Sequence, residues 1–357
     1  MMNTHPTKYW HALEDGRVQC DVCPHHCKLK SNQQGLCFVR ANIDNQIVST
    51  TYGRASGFCI DPVEKKPLNH FLPGTSVLSF GTVGCNLACK FCQNWQISKA
   101  REMNLLAEKA QPQDIARMAK ENNCASVAYT YNEPIISLEY CVDTAAECHK
   151  LGIKSIAVTN GFICDEPRKE FFASMDAANV DLKAFTDKFY RKITSSSLQP
   201  VLDTLIYVKH KTKTWLEITN LIIPGENDSP DEIDAMTKWI AKELGVDVPL
   251  HFSAFFPAFK MLNYPATPAE TLVRAREIAL KNNLRYVYTG NIYDEEHSST
   301  YCHNCHNCII KRGGFKILEY QLTDDGHCKF CKTKCAGVFE GPVGHWGAKR
   351  KPILTKL

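Results

Sequence analysis

The chain has no long apolar run. None of its 357 residues lie in a stretch approaching the roughly 20 apolar residues of a membrane span, and the beginning, MMNTHPTKYWHALEDG, has no apolar signal core. The expectation is a cytoplasmic protein that meets no membrane. Blocks of like charge are missing as well: 42 Lys and Arg are interspersed among 38 Asp and Glu, for a formal net charge of +4. That balance gives no ground for a nucleic-acid surface. Also missing are a long-period repeat, a low-complexity tract and a long linker, which argues against a solenoid or a disordered scaffold. What the chain has in quantity is cysteine, 18 residues of it. A small secreted protein would use them in disulfides. Here they fall into three clusters with metal-type spacing in a chain without a signal, which fits a reducing compartment and several metal centres.

Between residues 76 and 290 short apolar runs alternate with amphipathic stretches. The strand candidates are SVLSFGT, ASVAYTY, KSIAVT, ANVDLKA, TWLEITNLII and LHFSAFF, with RYVYTG as a further edge element. Six consecutive βα units with short connections predict a parallel sheet, and right-handed crossovers curl it into an open (β/α)6 partial TIM barrel. A closed eight-unit barrel lacks two units. The expected organisation is a Cys-rich N-terminal module over residues 1–70, a core over 71–298 and a zinc-ribbon-like module over 299–357. Sites in such sheets collect at the C-terminal ends of the strands.

The first strand ends in GTVGCNLACKFCQNW, which carries Cys85, Cys89 and Cys92. The spacing CxxxCxxC is too short for a zinc ribbon and lacks its own fourth ligand. Three thiolates on a tight loop can hold three irons of a 4Fe-4S cluster and leave the fourth iron open. The plainer alternatives are zinc completed by a distant residue such as Cys59 or Cys124, or three core thiols. At the second strand end stand Asn132 and Glu133, where a carboxylate can accept an ammonium group or simply cap the next helix. The third ends in Thr159, Asn160 and Gly161, which offer oxygen ligands or only a turn. The fourth places Asp181 and Lys183 two residues apart on one face, to meet each other, a ligand or water. The fifth sets Glu217, Thr219 and Leu221 on one face, and the sixth supplies His251 and Ser253.

The outer cysteines form two further groups. Cys20, Cys23, Cys27 and Cys37 are enough for structural zinc or for an auxiliary iron–sulfur cluster. Cys302, Cys305, Cys328 and Cys331 read as two CxxC knuckles of a zinc ribbon, with Cys308 and Cys335 as substitute ligands. Zinc there would contribute on the order of 10 kcal/mol to folding. Cys124, Cys141, Cys148 and Cys164 lie on or beside helices and read as core thiols.

Phe91, directly before the third cysteine, completes CxxxCxΦC, and with it the chain resembles the radical S-adenosylmethionine (SAM) superfamily. Taken with CDVCPHHCKLKSNQQGLCFVR, DPVEKKPLNHFLPG, YTYNEP, TNGF, DLKAF, NLIIPGEND and YCHNCHNC, it resembles the AmmeMemoRadiSam system radical SAM enzymes, relatives of the pyruvate formate-lyase activating enzymes. The resemblance implies that Cys85, Cys89 and Cys92 ligate a 4Fe-4S cluster and that SAM occupies the open iron. It places Phe91 near the adenine, Asn132 and Glu133 at the methionyl ammonium and Lys183 at the carboxylate. Asp181 and Thr159 would hold a monovalent cation, although Val158 stands where relatives are acidic. The implied reaction is reductive cleavage of SAM to a 5′-deoxyadenosyl radical that abstracts hydrogen from an unidentified substrate, with a low-potential flavodoxin or ferredoxin as electron donor. The implied lid comes from the flanking modules or from the loop around Lys65, Lys66 and His70. Memo-like and AMMECR-like proteins are the implied partners. The alternatives are a glycyl-radical enzyme activase and, outside catalysis, a zinc-stapled module that binds nucleic acid or protein.

Overall fold

Short apolar segments, buried along most of their length, can only be strands covered on both faces, and the computed structural model, which describes residues 4–99 and 108–353, pairs them so. Seven run parallel in chain order: β1 (Ser76–Gly81), β2 (Ser126–Tyr129), β3 (Lys154–Thr159), β4 (Ala177–Asp181), β5 (Trp215–Ile222), β6 (Leu250–Ala254) and β7 (Val287–Gly290). Between them lie α1 (Pro112–Glu121), α2 (Leu138–Lys150), α3 (Asp165–Ala173), α4 (Gln199–Lys211), α5 (Pro230–Trp239) and α6 (Ala269–Lys281). Six βα units followed by a seventh strand give an α/β sheet that stays open, since β7 is one edge and antiparallel Arg54–Pro62 covers β1 on the other side. The RYVYTG segment is thus a full parallel strand, in register with Leu250–Ser253.

Local chemistry fixes the ends of these elements. Ser229 accepts a hydrogen bond from the Glu232 N–H while Pro230 takes the first helical position of α5, and Gly245, at φ 89°, ends the turn that follows the helix. Asp44 and Asn45, both left-handed at φ 52° and 59°, turn Arg40–Ile43 back onto Gln46–Ser49 as the hairpin the sequence predicts.

The flanking segments differ in how they are buried. On the N-terminal side, Trp10–Ala12, Val18–Cys20 and Lys28–Leu29 form a small sheet whose Val18, Cys20 and Leu29 belong, with Val22 beside them, to the main hydrophobic core. On the C-terminal side, Thr300–Tyr301, Cys308–Gly313 and Lys316–Tyr320 form another sheet around a separate core of Tyr286, Tyr288, Ile309, Ile310 and Leu322. Cys124, Cys141 and Cys148 are buried in the main core and Cys164 is half-buried beside it. Among the described residues no helix is long and apolar enough to cross a membrane.

Candidate active site

The loop after β1 needs glycine twice, for two different reasons. Gly84 sits at φ 85°, and a Cβ there would lie 2.1 Å from the Cys37 carbonyl oxygen, whereas a Cβ on Gly81 would lie 2.6 Å from the Thr130 carbonyl oxygen. The loop is then sewn to its surroundings by backbone bonds. Ala88 N–H donates to Thr194 O at 2.9 Å, Lys90 N–H to Ile193 O at 3.0 Å and Gly84 N–H to Ile97 O at 2.9 Å. Cys85, Cys89 and Cys92 are half-buried on this fixed loop. Burial pushes the Cys89 thiol up to about 11 although Lys183 pulls it down, and burial pushes Cys85 up as well. Bare thiolates are therefore disfavoured there, and a cationic iron core is the kind of group that would balance them. Neither Cys59 nor Cys124 joins a group of metal-ligating side chains among the described residues.

The strand-end residues converge beside the loop. Glu133, buried at the start of the turn Pro134–Ser137, accepts from Thr159 Oγ1 at 2.6 Å, Asn160 N–H at 2.7 Å and Ile135 N–H at 3.2 Å. Burial raises its pKa to about 7 against those three donors. Asn132 accepts from Thr82 N–H and donates to Thr82 Oγ1 and to Gly84 O, so it braces the cysteine loop. Thr159 is thus turned toward Glu133. Asp181 ends β4 and Lys183 lies just beyond it; the two pair at 2.7 Å, the first of the options that the sequence leaves open. Burial opposes the Lys183 charge, but Asp181 and then Cys89 hold its pKa above the ordinary lysine value. Its ammonium stands 5.7 Å from the ring centre of the buried Phe91.

Several positioning contacts escape a reading of the sequence. Asn160 donates to Asn86 Oδ1 at 2.8 Å, Asn86 donates to Phe162 O at 2.9 Å, and Asn227 donates to Lys183 O at 2.7 Å. Each ties one strand-end loop to another. Asparagines following a cysteine or within TNG and PGEND look like turn residues, and nothing in their spacing announces these contacts.

The loop around Lys65, Lys66 and His70 is not a lid. Lys65 and Lys66 both pair with the buried Asp61, at 3.0 and 2.8 Å, and His70 is wholly buried between Ala336 O and the Tyr288 hydroxyl. Glu217, near the start of β5, accepts from Asn69 N–H, His70 N–H and Trp215 Nε1 and pairs with His251 at 2.7 Å. These contacts plug the N-terminal end of the sheet, opposite the cysteine loop, and they place Glu217 and His251 in the scaffold.

The C-terminal thiols of Cys302, Cys305, Cys328 and Cys331 lie within 4.8 Å of one another, with Cys302–Cys331 at 3.5 Å and Cys305–Cys328 at 3.7 Å. A tetrahedral zinc–thiolate site has edges of about 3.8 Å. Cys308 and Cys335 stand outside this group; Cys335 packs on His70, 3.7 Å from its ring nitrogen. Hydrogen bonds from Thr333 hold the Cys331 thiol below its ordinary range. The N-terminal thiols of Cys20, Cys23, Cys27 and Cys37 line one small cavity instead.

Comparison with known proteins follows the same lines. Residues 80–240 match the model of the Radical SAM superfamily. An uncharacterised protein of Methanocaldococcus jannaschii is 39% identical over 328 residues, 91% of this chain and 97% of that protein. A second protein of that organism, provisionally named as a glycyl-radical enzyme activating enzyme, is 24% identical over 208 residues, 56% of this chain and 75% of its own. The pyruvate formate-lyase 1-activating enzyme of Escherichia coli K12 is 25% identical over 166 residues, 44% of this chain and 65% of the enzyme.

Proposed function

We propose that this chain, which belongs to the Radical SAM superfamily and is related to glycyl-radical activating enzymes, reductively cleaves SAM to start hydrogen abstraction from a substrate. The observation that carries the reading is the donor set at the end of β1: three thiols on a loop braced by Asn132 and by the Thr194 and Ile193 carbonyls. Three soft ligands suit a cluster with one open iron. A cluster held by Cys85, Cys89 and Cys92 would supply the electron that breaks the sulfonium carbon–sulfur bond of SAM, giving methionine and a 5′-deoxyadenosyl radical.

The protein's part is binding, orientation and exclusion of water. Lys183, kept charged by Asp181, offers a cation to the cofactor carboxylate, and Phe91 beside it supports the adenine. Glu133 has three hydrogen bonds already, which fix its carboxylate, and a carboxylate can accept a fourth from the methionyl ammonium. Thr159 and Asn160 hold it in place. In this reading residues 71–298 are the catalytic core between the modules at 1–70 and 299–357, with zinc at the C-terminal thiols. Relatives that are named activating enzymes favour a protein substrate. Membership of the AmmeMemoRadiSam family, Memo-like and AMMECR-like partners, a flavodoxin or ferredoxin donor and a cytoplasmic location complete the proposal.

The test is anaerobic reconstitution followed by dithionite and SAM. Formation of 5′-deoxyadenosine, abolished when Cys85, Cys89 and Cys92 are all replaced by Ala, is the expected result. Unchanged cleavage in that variant, or zinc at every cysteine group with no cleavage at all, sinks the reading and favours a metal-stapled binding module.

A further inference from the structure

We propose that Cys20, Cys23, Cys27 and Cys37 hold a second iron–sulfur cluster, of the 4Fe-4S type, seated against the loop that carries Cys85, Cys89 and Cys92. The first ground is an internal standard. The C-terminal quartet shows how this chain arranges four thiols for a single ion, with every sulfur within 4.8 Å of the others; among the described residues the N-terminal quartet does not converge in this way. Yet its four thiols are not scattered. All line the same small cavity, together with Val22, Leu36 and Asn86. A ring of four thiols around a void, rather than four thiols around a point, is the arrangement that a polynuclear cluster requires, because each thiolate binds a different iron.

The second ground is how the ring is held. Cys20 N–H donates to Cys27 O at 3.0 Å, and His26 N–H donates to Cys23 O at 3.1 Å in the turn between them. Gly35 lies against Cys27, where a Cβ would stand 3.6 Å from its sulfur, and Gly35 N–H donates to Arg40 O at 2.8 Å as the chain turns through Cys37. Cys20 and Cys37 are buried, and Cys20 belongs to the main core, so the ring does not depend on a metal to be drawn together.

The third ground is position. Cys37 packs with Val83, and its carbonyl oxygen sits where Gly84 has no side chain, one residue before Cys85. His25 Nε2 lies 2.7 Å from Asn86 O, one residue after Cys85. The two cysteine loops are therefore in van der Waals contact. With all four irons closed by thiolates, the outer cluster has no open position for a substrate, which leaves storage and transfer of single electrons as its chemistry. That role rests on the SAM reading above; the occupancy does not.

Occupancy is tested on the full chain, reconstituted anaerobically with ferrous iron and sulfide, in three forms: wild type, the Cys85/Cys89/Cys92→Ala triple variant, and Cys23→Ser/Cys27→Ser. Wild type is expected to carry about eight iron and eight sulfide. The triple variant should keep about half of each, with the electron paramagnetic resonance signal of a reduced cluster, and the double variant should lose that half. A triple variant that holds no iron but gains a second zinc per chain overturns the proposal, and so does wild-type iron in the double variant. If circular dichroism shows the triple variant unfolded, the iron difference between wild type and the double variant decides. Full iron in wild type without formation of 5′-deoxyadenosine would sink the SAM reading and leave this one standing.

Discussion

Cys302, Cys305, Cys328 and Cys331 close on a point, with edges of 3.5 and 3.7 Å, while Cys20, Cys23, Cys27 and Cys37 stand around a small cavity. Both groups are four cysteines in a short stretch of chain. The difference lies in what surrounds them. The C-terminal thiols sit on a small sheet with its own core of Tyr286, Tyr288, Ile309 and Ile310, too little apolar surface to hold a shape alone. The N-terminal thiols sit on segments whose Val18, Val22 and Leu29 share the core of the seven-stranded sheet. A module with little core needs its metal to fold, whereas a segment wedged against a large body takes its shape from that body. The two groups also face opposite ends of the sheet: Cys335, which shares a small core with Cys302 and Cys328, packs on His70 at the plugged end, and Cys37 packs on Gly84 at the end that carries the candidate active site.

The most severe way to break this comparison is Cys305→Ser. Loss of a ligand from a closed four-thiolate site removes a metal whose binding is worth on the order of 10 kcal/mol of local folding. Proteolysis should then cut within residues 299–353 while the rest stays folded, and SAM cleavage per intact core should persist. Loss of cleavage in a variant with native protease resistance would mean that the C-terminal module takes part in the chemistry.

What the sequence made legible follows the same division. CxxxCxxC, the two CxxC knuckles and the Asp44–Asn45 turn are local patterns, so the spacing alone carries them. The six strands and their helices are legible from periodicity, and the seventh, Val287–Gly290, is ambiguous until its pairing with β6 is seen. Contacts between distant strand ends were out of reach. The carboxylate of Glu133 is met by Thr159 and Asn160 across 26 and 27 residues, and Glu217 is met by Asn69 and His70 across nearly 150. The same limit explains why Lys65, Lys66 and His70 read as a lid. Their charge and polarity are visible in sequence, but the partner of both lysines, Asp61, and the burial of His70 are not.

His70 offers a smaller effect, confined to the plugged end. Burial lowers its pKa from 6.5 to about 4, so the folded protein holds it neutral while the unfolded chain takes up a proton. The stability this contributes is complete above pH 6.5 and is lost as pH falls toward 4, a change of about 3 kcal/mol across that window. His70→Gln cannot titrate. Urea unfolding midpoints measured at pH 7 and pH 5 should therefore converge for the variant relative to wild type, with SAM affinity unaltered. An identical pH dependence in the two proteins would show that His70 is not the group being titrated.

Lys183→Met and Glu133→Gln probe the opposite end, with an effect of similar or smaller size but of another kind. Lys183 sits beside Cys89 and Phe91, and its only ion pair among the described residues is with Asp181 at 2.7 Å, so its ammonium is placed and charged without being consumed. Losing one charged hydrogen bond to a bound carboxylate in a partly dry site costs about 1.5 to 3 kcal/mol, roughly ten- to hundredfold in affinity. Glu133→Gln should give a loss in the same range through the methionyl ammonium, while its amide oxygen can still accept from Thr159. SAM binding measured by calorimetry on the reconstituted variants should weaken accordingly, with iron and zinc content held at wild-type values. If either variant binds SAM as tightly as wild type, that residue belongs with Glu217 and His251 in the scaffold, and the contrast between an upper end built for a ligand and a lower end built for stability loses that residue as support.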